Sequence, residues 1–411
     1  MPEVDIEWLT LGGEGGGRAN GRVYQVPGAL PGDQVRCEVR DKPRGRITPA
    51  TLVEVVQRSE HRRDHPCPHS DTCGGCDLGQ MDPAGRRASI ATAIGRALRV
   101  PPPPVIHEPS GGRARIKLAI RDGEVGYLQP RSHTLVPVTA CGVARPEVSA
   151  AIRTLRAWVQ THPEAPGIQS VEVRSDGTRV AYDVQTLPDT DRAARAALRK
   201  ALAPLEHVAV NGHDSHGCPT LSLPVGGLHL RASPSTFFQV DLELNGAMVS
   251  HVTELVASAN PEAVLDLYAG IGNFTVAVGR ATGAPVVSVE NHPAAVKDLT
   301  ANAATHAVRA TPVRADVERY RPSNAAFDVA IVDPPRRGCG RSLSEVLACR
   351  PRFVVYVACN PSALVTDLRS AERQGYDIDS VRCFDLFPDT HHIETVVRLA
   401  RTRRPQRVKR R

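Results

Sequence analysis

Aromatic side chains are scarce: 7 Phe, 7 Tyr and 2 Trp make up 4% of 411 residues. A surface paved with stacking platforms is therefore not expected. No run is apolar for long enough to span a bilayer as a helix, and the opening MPEVDIEWLT lacks the basic stretch and apolar run of an export signal. A soluble, cytoplasmic protein without a membrane partner is expected. Acid is absent from residues 401–411, RTRRPQRVKRR, which hold seven Arg or Lys. The formal net charge is +7, so the body is near neutral and the basicity sits in this tail. Such a tail suits contact with phosphates, and equally suits a solvated terminus.

Ten cysteines in a cytoplasmic chain of this length do not suggest a disulfide framework. The length allows two to four domains. Residues 1–57 alternate short β-type runs (VDIEWL, RVYQVP, QVRCEV, ATLVEVV) with Gly and Pro turns and no helical period, which predicts a small antiparallel barrel. Residues 58–83 are dense in Cys, His, Gly and Pro and too irregular for a regular element, so their order has to come from something other than a core. A helical run at 84–98, the stiff PPPP at 101–104 and mixed runs up to 225, with an Arg- and Ala-rich helix near 190–203, predict a central α+β unit over 84–225. From 226 to 400 the rhythm becomes one of alternating strands and helices. Near-continuous apolar strands at 263–267, 285–290, 327–333, 353–358 and 393–399 predict a mainly parallel sheet covered on both faces. The fold class is α/β, with a Rossmann-like C-terminal domain whose site lies at the carboxyl ends of the strands.

Four stretches carry chemistry. In VVYVACNPSAL (354–364) a buried strand runs up to Cys359, with Asn360 as N-cap, Pro361 as first helical residue and Gly375 as stop. A helix N-terminus favours thiolate over thiol, so Cys359 is either an activated nucleophile or a small core residue. DLYAGIGNF (266–274) follows the first parallel strand with Gly270 and Gly272, but Thr275 stands where a third glycine would complete GXGXXG. A dinucleotide is thereby disfavoured, and S-adenosylmethionine, which has no pyrophosphate, is the better ligand. Glu290 and Asp316 close successive strands, where they suit a ribose and an adenine amine or simply face water. VDPPRRG (332–338) places Asp333 before two prolines that keep the exit extended. FPDTHHIETVVRL (387–399) sets Glu394 early in an apolar strand, either as an edge residue facing water or as a base.

Cys67, Cys73 and Cys76 are spaced CX5CX2C with two glycines in the last gap, and Cys141 in VTACGV is the nearest fourth thiol. Four thiolates fit zinc or an iron-sulfur cluster, and His65 and His69 stand nearby as competing ligands.

With these motifs in this order, the chain resembles the bacterial RNA uracil-5 methyltransferases. It is most similar to those acting on 23S ribosomal RNA that carry an N-terminal TRAM barrel and a 4Fe-4S cluster. GALPGD matches the barrel, CX5CGGC the cluster loop and SPSTFFQVD (233–241) the start of the methyltransferase domain; ACNP and HHIET complete the set. The resemblance implies S-adenosylmethionine contacts at Gln239, Tyr268, Gly270, Gly272, Asn273, Glu290, Asp316 and Asp333. It also implies Cys359 as nucleophile, Glu394 as base, and a 4Fe-4S cluster on Cys67, Cys73, Cys76 and Cys141. RNA is the implied partner, ribosomal before transfer RNA, and a monomer without an obligate protein partner is expected. Phe237 and Phe238 either wall a pocket for a flipped uridine or belong to the core. The glycine run GGEGGG and the basic tail are departures from the family pattern.

If the tail contacts phosphates, a chain ending at residue 400 binds RNA more weakly than the full chain and with a flatter dependence on salt, checked by a salt series of affinities.

Overall fold

The computed structural model describes residues 1–40, 45–162, 167–322 and 327–402. Nearly all of the basic tail lies outside the described residues. The chain opens with β1 (Glu3–Leu9), β2 (Gly15–Ala19), β3 (Arg22–Val26), β4 (Gln34–Val39) and β5 (Ile47–Gln57), closed into a barrel in the order β1-β2-β3-β5-β4. The glycine run has a steric cause. A Cβ on Gly16 would sit 2.2 Å from the Trp8 ring, and one on Gly17 2.2 Å from the Asp5 carbonyl, so the barrel closes only where β2 has no side chains. The guanidinium groups of Arg18 and Arg96 lie over the same Trp8 ring, at 4.7 and 5.6 Å from its centre.

Residues 58–82 form turns rather than regular elements and lead into α1 (Pro83–Leu98), capped by the Asp82 carboxylate. The short strand β6 (Val105–Ile106) follows. A central sheet is built from β7 (Arg115–Arg121), β8 (Glu124–Leu128), β9 (Leu135–Pro137), β10 (Ile168–Ser175), β11 (Val180–Thr186), β12 (Val208–Val210) and β13 (His213–His216), in the order β13-β12-β11-β10-β7-β8-β9. Helices α2 (Pro146–Thr161) and α3 (Arg192–Ala201) bury Ile152, Leu155 and Leu198 in one core with Val171, Val173 and Val184 of this sheet.

The hairpin β14 (Leu221–Val225) and β15 (Leu228–Ala232) leads to α4 (Leu242–Ala257). Strands and helices then alternate: β16 (Val264–Leu267), α5 (Asn273–Thr282), β17 (Val286–Glu290), α6 (Pro293–Thr305), β18 (Ala310–Arg314), β19 (Val329–Val332), α7 (Arg341–Ala348), β20 (Phe353–Ala358) and α8 (Pro361–Arg373), closed by β21 (Tyr376–Phe384) and β22 (Glu394–Arg401). The sheet order is β18-β17-β16-β19-β20-β22-β21-β6. Strands β16 to β20 pair in parallel, and β22 runs antiparallel to both neighbours. The α/β class and Rossmann-like arrangement expected from the sequence are what the structure shows.

The expected central unit over 84–225 is drawn differently. Strand β6 pairs with the edge strand β21, and α1 packs with α7 and α8 on one face of the parallel sheet while α4, α5 and α6 cover the other. The cause is the apolar stripe Ile90, Ile94 and Leu98 on α1, which is buried in the core formed by Tyr376, Leu399 and the apolar side chains of α8. An ion pair seals this docking: the guanidinium of Arg86, 1% exposed, binds the Asp385 carboxylate and donates to the Thr390 carbonyl at 3.0 Å. Replacing Arg86 with Ala strands a buried carboxylate and is expected to destabilise the full chain by about 3–5 kcal/mol, measured by urea unfolding.

Candidate active site and cysteine cavity

The parallel strands end along one edge, and the antiparallel β22 begins there. Tyr268 follows β16, Glu290 ends β17, Asp333 follows β19 and Cys359 follows β20. In the β20–β22 pairing Ala358 lies opposite Thr395, so the next position along places Cys359 opposite Glu394. A cavity of 630 Å³ at this edge is lined by Gln239, Tyr268, Gly270, Glu290, Asp316, Asp333, Cys359 and Glu394, together with Arg115, Phe237, Arg336 and His392. Phe237 is 57% exposed and lies under the Arg115 guanidinium at 4.4 Å, whereas Phe238 is buried in the core. Sequence reasoning missed Arg115, Arg336 and His392. Arg336 and His392 sit inside motifs already singled out, but Arg115 carries no local signal.

Two of the expected cofactor residues do not line this cavity. Gly272 caps α5 in the left-handed conformation (φ 94°) and does not line the cavity. Asn273 exchanges paired amide hydrogen bonds of 2.9 and 3.0 Å with Asn245 of α4 and borders a small adjoining pocket. Glu290 is at the rim, but its carboxylate is already occupied: it accepts from the amides of Gly270 (3.0 Å), Asn291 (2.8 Å) and His292 (2.7 Å), holding the glycine loop against β17. Asp316 accepts from the Glu318 amide at 3.0 Å. The buried Gln239 Oε1 and Glu394 Oε2 have no hydrogen-bond partner, which marks both as groups that a ligand in this cavity would satisfy.

The electrostatics reverse one expectation. The N-cap at Asn360 and the helix start at Pro361 are where the sequence placed them, with the Asn360 side chain accepting from the Ser362 amide at 3.0 Å. The helix terminus nevertheless does not draw the thiol down. Burial, then the charges of Glu394 and Asp333, push Cys359 up to about 12, with Arg336 opposing them. Burial likewise raises Asp333 from 3.8 to about 7, aided by Asp266, and holds Glu394 well above the ordinary carboxyl range, aided by Asp333. Burial, His391 and Arg336 lower His392 to about 4, so it is neutral at physiological pH. Cys359 and Glu394 therefore rest protonated.

The loop behind Asp333 is held by a second buried network. The Asp367 carboxylate accepts from the Tyr356 hydroxyl (2.6 Å) and from the amides of Cys339 (2.7 Å) and Gly340 (3.1 Å), which fixes the turn of VDPPRRGCG over the sheet edge.

Cys67, Cys73, Cys76 and Cys141 line a second cavity, of 340 Å³, with His65, His69, Tyr127, Arg113 and Asp389. Burial raises the Cys73 thiol, and Cys141 and Cys67 raise it further. Burial also pushes Cys76 up to about 12, against the opposing charge of Arg113 and with Asp389, Cys141 and Cys73 adding to the rise. Thiols that destabilise one another's charge are a donor set suited to a cationic centre. A ring nitrogen of His65, Cys76 Sγ and an Asp389 oxygen lie within 4.8 Å of one another, so a mixed ligand set is also within reach.

A glycine loop, acidic strand ends and an unsatisfied polar cavity at the carboxyl edge of such a sheet define an S-adenosylmethionine-dependent methyltransferase. Comparison with known proteins specifies it further. The family model described as tRNA (Uracil-5-)-methyltransferase matches residues 298–402. An uncharacterized RNA methyltransferase of Gloeobacter violaceus is 32% identical, over 97% of this chain and 96% of its own. The 23S rRNA (uracil(1939)-C(5))-methyltransferase RlmD of Thiobacillus denitrificans is 30% identical, over 96% and 98%. Among solved structures, the Pyrococcus abyssi tRNA (uracil-54, C5)-methyltransferase bound to S-adenosyl-L-homocysteine shares the fold, with a TM-score of 0.75 at 23% identity over 97% of this chain and 100% of that one. The chain belongs to the RNA uracil-5 methyltransferase family.

Asp333 gives a pH test of this electrostatic picture. Near pH 3 the group is protonated folded or unfolded, so burial carries no penalty. As the pH rises from 3.8 to about 7 the unfolded chain ionises first and stability is lost. Asp333→Asn is therefore expected to stabilise the protein by about 2–4 kcal/mol at pH 8 and by much less at pH 4, read from unfolding curves at the two pH values.

Proposed function

We propose that this enzyme methylates carbon 5 of a uridine in 23S ribosomal RNA through a transient covalent bond between Cys359 and carbon 6. The observation that carries this reading is the placement of the Cys359 thiol opposite Glu394 in one cavity with the glycine loop. S-adenosylmethionine supplies the methyl group as an electrophilic sulfonium. Gln239, Tyr268, Gly270, Glu290, Asp316 and Asp333 line the side of the cavity that would hold it.

Carbon 5 of uracil is a weak nucleophile, so its electron density has to be raised first. Addition of the Cys359 thiolate to carbon 6 places the displaced electron pair in an enolate, and carbon 5 then takes the methyl group. Ionised Glu394 removes the proton from carbon 5, and elimination breaks the carbon 6–sulfur bond and restores both the ring and the thiolate. Because burial and neighbouring carboxyl groups oppose both ionised forms, the Cys359 thiol and Glu394 each have to release a proton to solvent before the addition and the deprotonation of carbon 5. Arg336 is the cation at hand to favour the thiolate. The uracil has to leave its stack to reach the sulfur, and the exposed Phe237 face under Arg115 offers a surface at the cavity mouth for it.

The choice of ribosomal over transfer RNA is supported by the full-length relatives named for 23S rRNA. We assign a 4Fe-4S cluster to Cys67, Cys73, Cys76 and Cys141, supported by the four thiols that share one cavity. The barrel and this cavity would then serve RNA binding and structural integrity, in the cytoplasm.

Cys359→Ala is expected to abolish 5-methyluridine formation while S-adenosylmethionine binding persists in calorimetry. Full activity of that variant eliminates the covalent route. Mapping 5-methyluridine in RNA from a deletion strain separates the substrates: loss from 23S rRNA supports the proposal, and loss from tRNA replaces it.

A further inference from the structure

One segment borders both cavities: Asp389 lines the cysteine cavity, and Phe387, His392 and Glu394 line the catalytic one. The segment 387–393, which leads into Glu394, is gripped by the cysteine-bearing loop. The amides of Asp77 and Leu78 donate to the Asp389 carbonyl at 3.1 and 3.0 Å, the Arg63 guanidinium pairs with its carboxylate at 2.9 Å, and the His391 amide donates to Asp77 at 2.9 Å. One residue touches all three parties. Arg113 is pinned by its backbone to the Cys141 loop, donating from its amide to the Val143 carbonyl at 2.8 Å. Its guanidinium donates to the Gly75 carbonyl, between Cys73 and Cys76, at 3.4 Å, and to the Pro388 carbonyl at 3.2 Å.

Arg113 is also the one arginine or lysine that lines the cysteine cavity among the described residues, and its Nε is buried without a hydrogen-bond partner. An orphaned, cationic N–H at a cavity of four thiols is a donor waiting for an anionic sulfur centre. Four thiolates outweigh the positive charge of an iron-sulfur core, so the loaded cavity is anionic and holds the guanidinium in place. Two residues further on, Arg115 lies over Phe237 in the catalytic cavity.

We propose that Arg113 is a positioning residue through which the occupied cysteine cavity fixes the 387–393 loop and so sets the carboxylate of Glu394 against Cys359. The inference rests on the cluster assignment made above. The centre thus acts on methylation at a distance, through one guanidinium and two carbonyls, and takes no part in the chemistry.

The test uses the full-length holoenzyme and its Arg113→Gln and Arg113→Lys variants, each assayed for iron and acid-labile sulfide before and after chelation. Hydrogen exchange is followed in a peptide covering 385–394, and the reduction potential is read by electron paramagnetic resonance. Wild type is expected to exchange roughly tenfold faster in this peptide once the cluster is removed, as befits loss of charge-assisted bonds. Arg113→Gln should exchange fast already with its cluster in place, change little more on removal and show a lowered potential. Arg113→Lys, which keeps the charge but not the fork, should keep the potential near wild type and still exchange fast. Equal acceleration on cluster removal in wild type and Arg113→Gln overturns the proposal, as does no acceleration in wild type, which decides the matter even if neither variant loads a cluster. Wild type free of iron and sulfide overturns the cluster assignment itself, and this inference with it.

Discussion

One reversal of strand direction makes the catalytic edge. Parallel strands deliver their final residues to the same side of a sheet, and four of them here deliver Tyr268, Glu290, Asp333 and Cys359. A further parallel strand in the place of β22 would have presented its first residues at the far edge. Because β22 runs the other way, its first residue, Glu394, arrives beside the cysteine instead, in the register Ala358 opposite Thr395. Register is therefore a chemical constraint as well as a packing one. A slip of one residue would turn Glu394 to the other face and bring Thr395 or Ile393 to the sulfur. The apolar neighbours Val396, Val397 and Leu399, buried on alternate faces, make such a slip expensive.

The same crowding sets the charge state. Two carboxyl groups and a thiol lining one cavity oppose one another's ionisation, so the resting enzyme keeps protons on Cys359 and Glu394, which the reaction needs bare. A thiol held neutral also reacts slowly with oxidants, which require thiolate. The arrangement thus separates a nucleophile available to a bound pyrimidine from one available to solvent.

Much of this was legible in the sequence where a local rule governs the outcome. The strand ending at Ala358, the cap at Asn360 and the proline after it follow from propensity and capping alone, and the alternation of strands and helices after residue 240 announces a parallel sheet. The CX5CX2C spacing brings three thiols together because the intervening chain is too short to do otherwise. What local rules could not show is where non-local partners lie. Nothing in PAGRRASIATAIGRAL says that α1 covers a sheet whose parallel strands begin more than 150 residues later. Nothing around Asn273 names Asn245 as the group that takes up its amide. The sign of the Cys359 shift is hidden from the sequence for a related reason: a helix terminus is visible there, but the depth of burial and the two carboxyl groups that outweigh it are set by tertiary packing.

The placement of α1 and β6 bears on how the molecule is made. These segments leave the ribosome before most of the sheet they complete, and the central sheet is synthesised between the two halves of that contact. The methyltransferase sheet thus has an exposed β21 edge and an uncovered apolar face unless the early helix has waited for it. The barrel and the central sheet each have a core of their own, but the last unit becomes whole only when the chain's earliest helix returns to it. Until then the apolar stripe of α1 has only the barrel residues Leu9 and Leu30 to pack against, and the rest of it stays open to water.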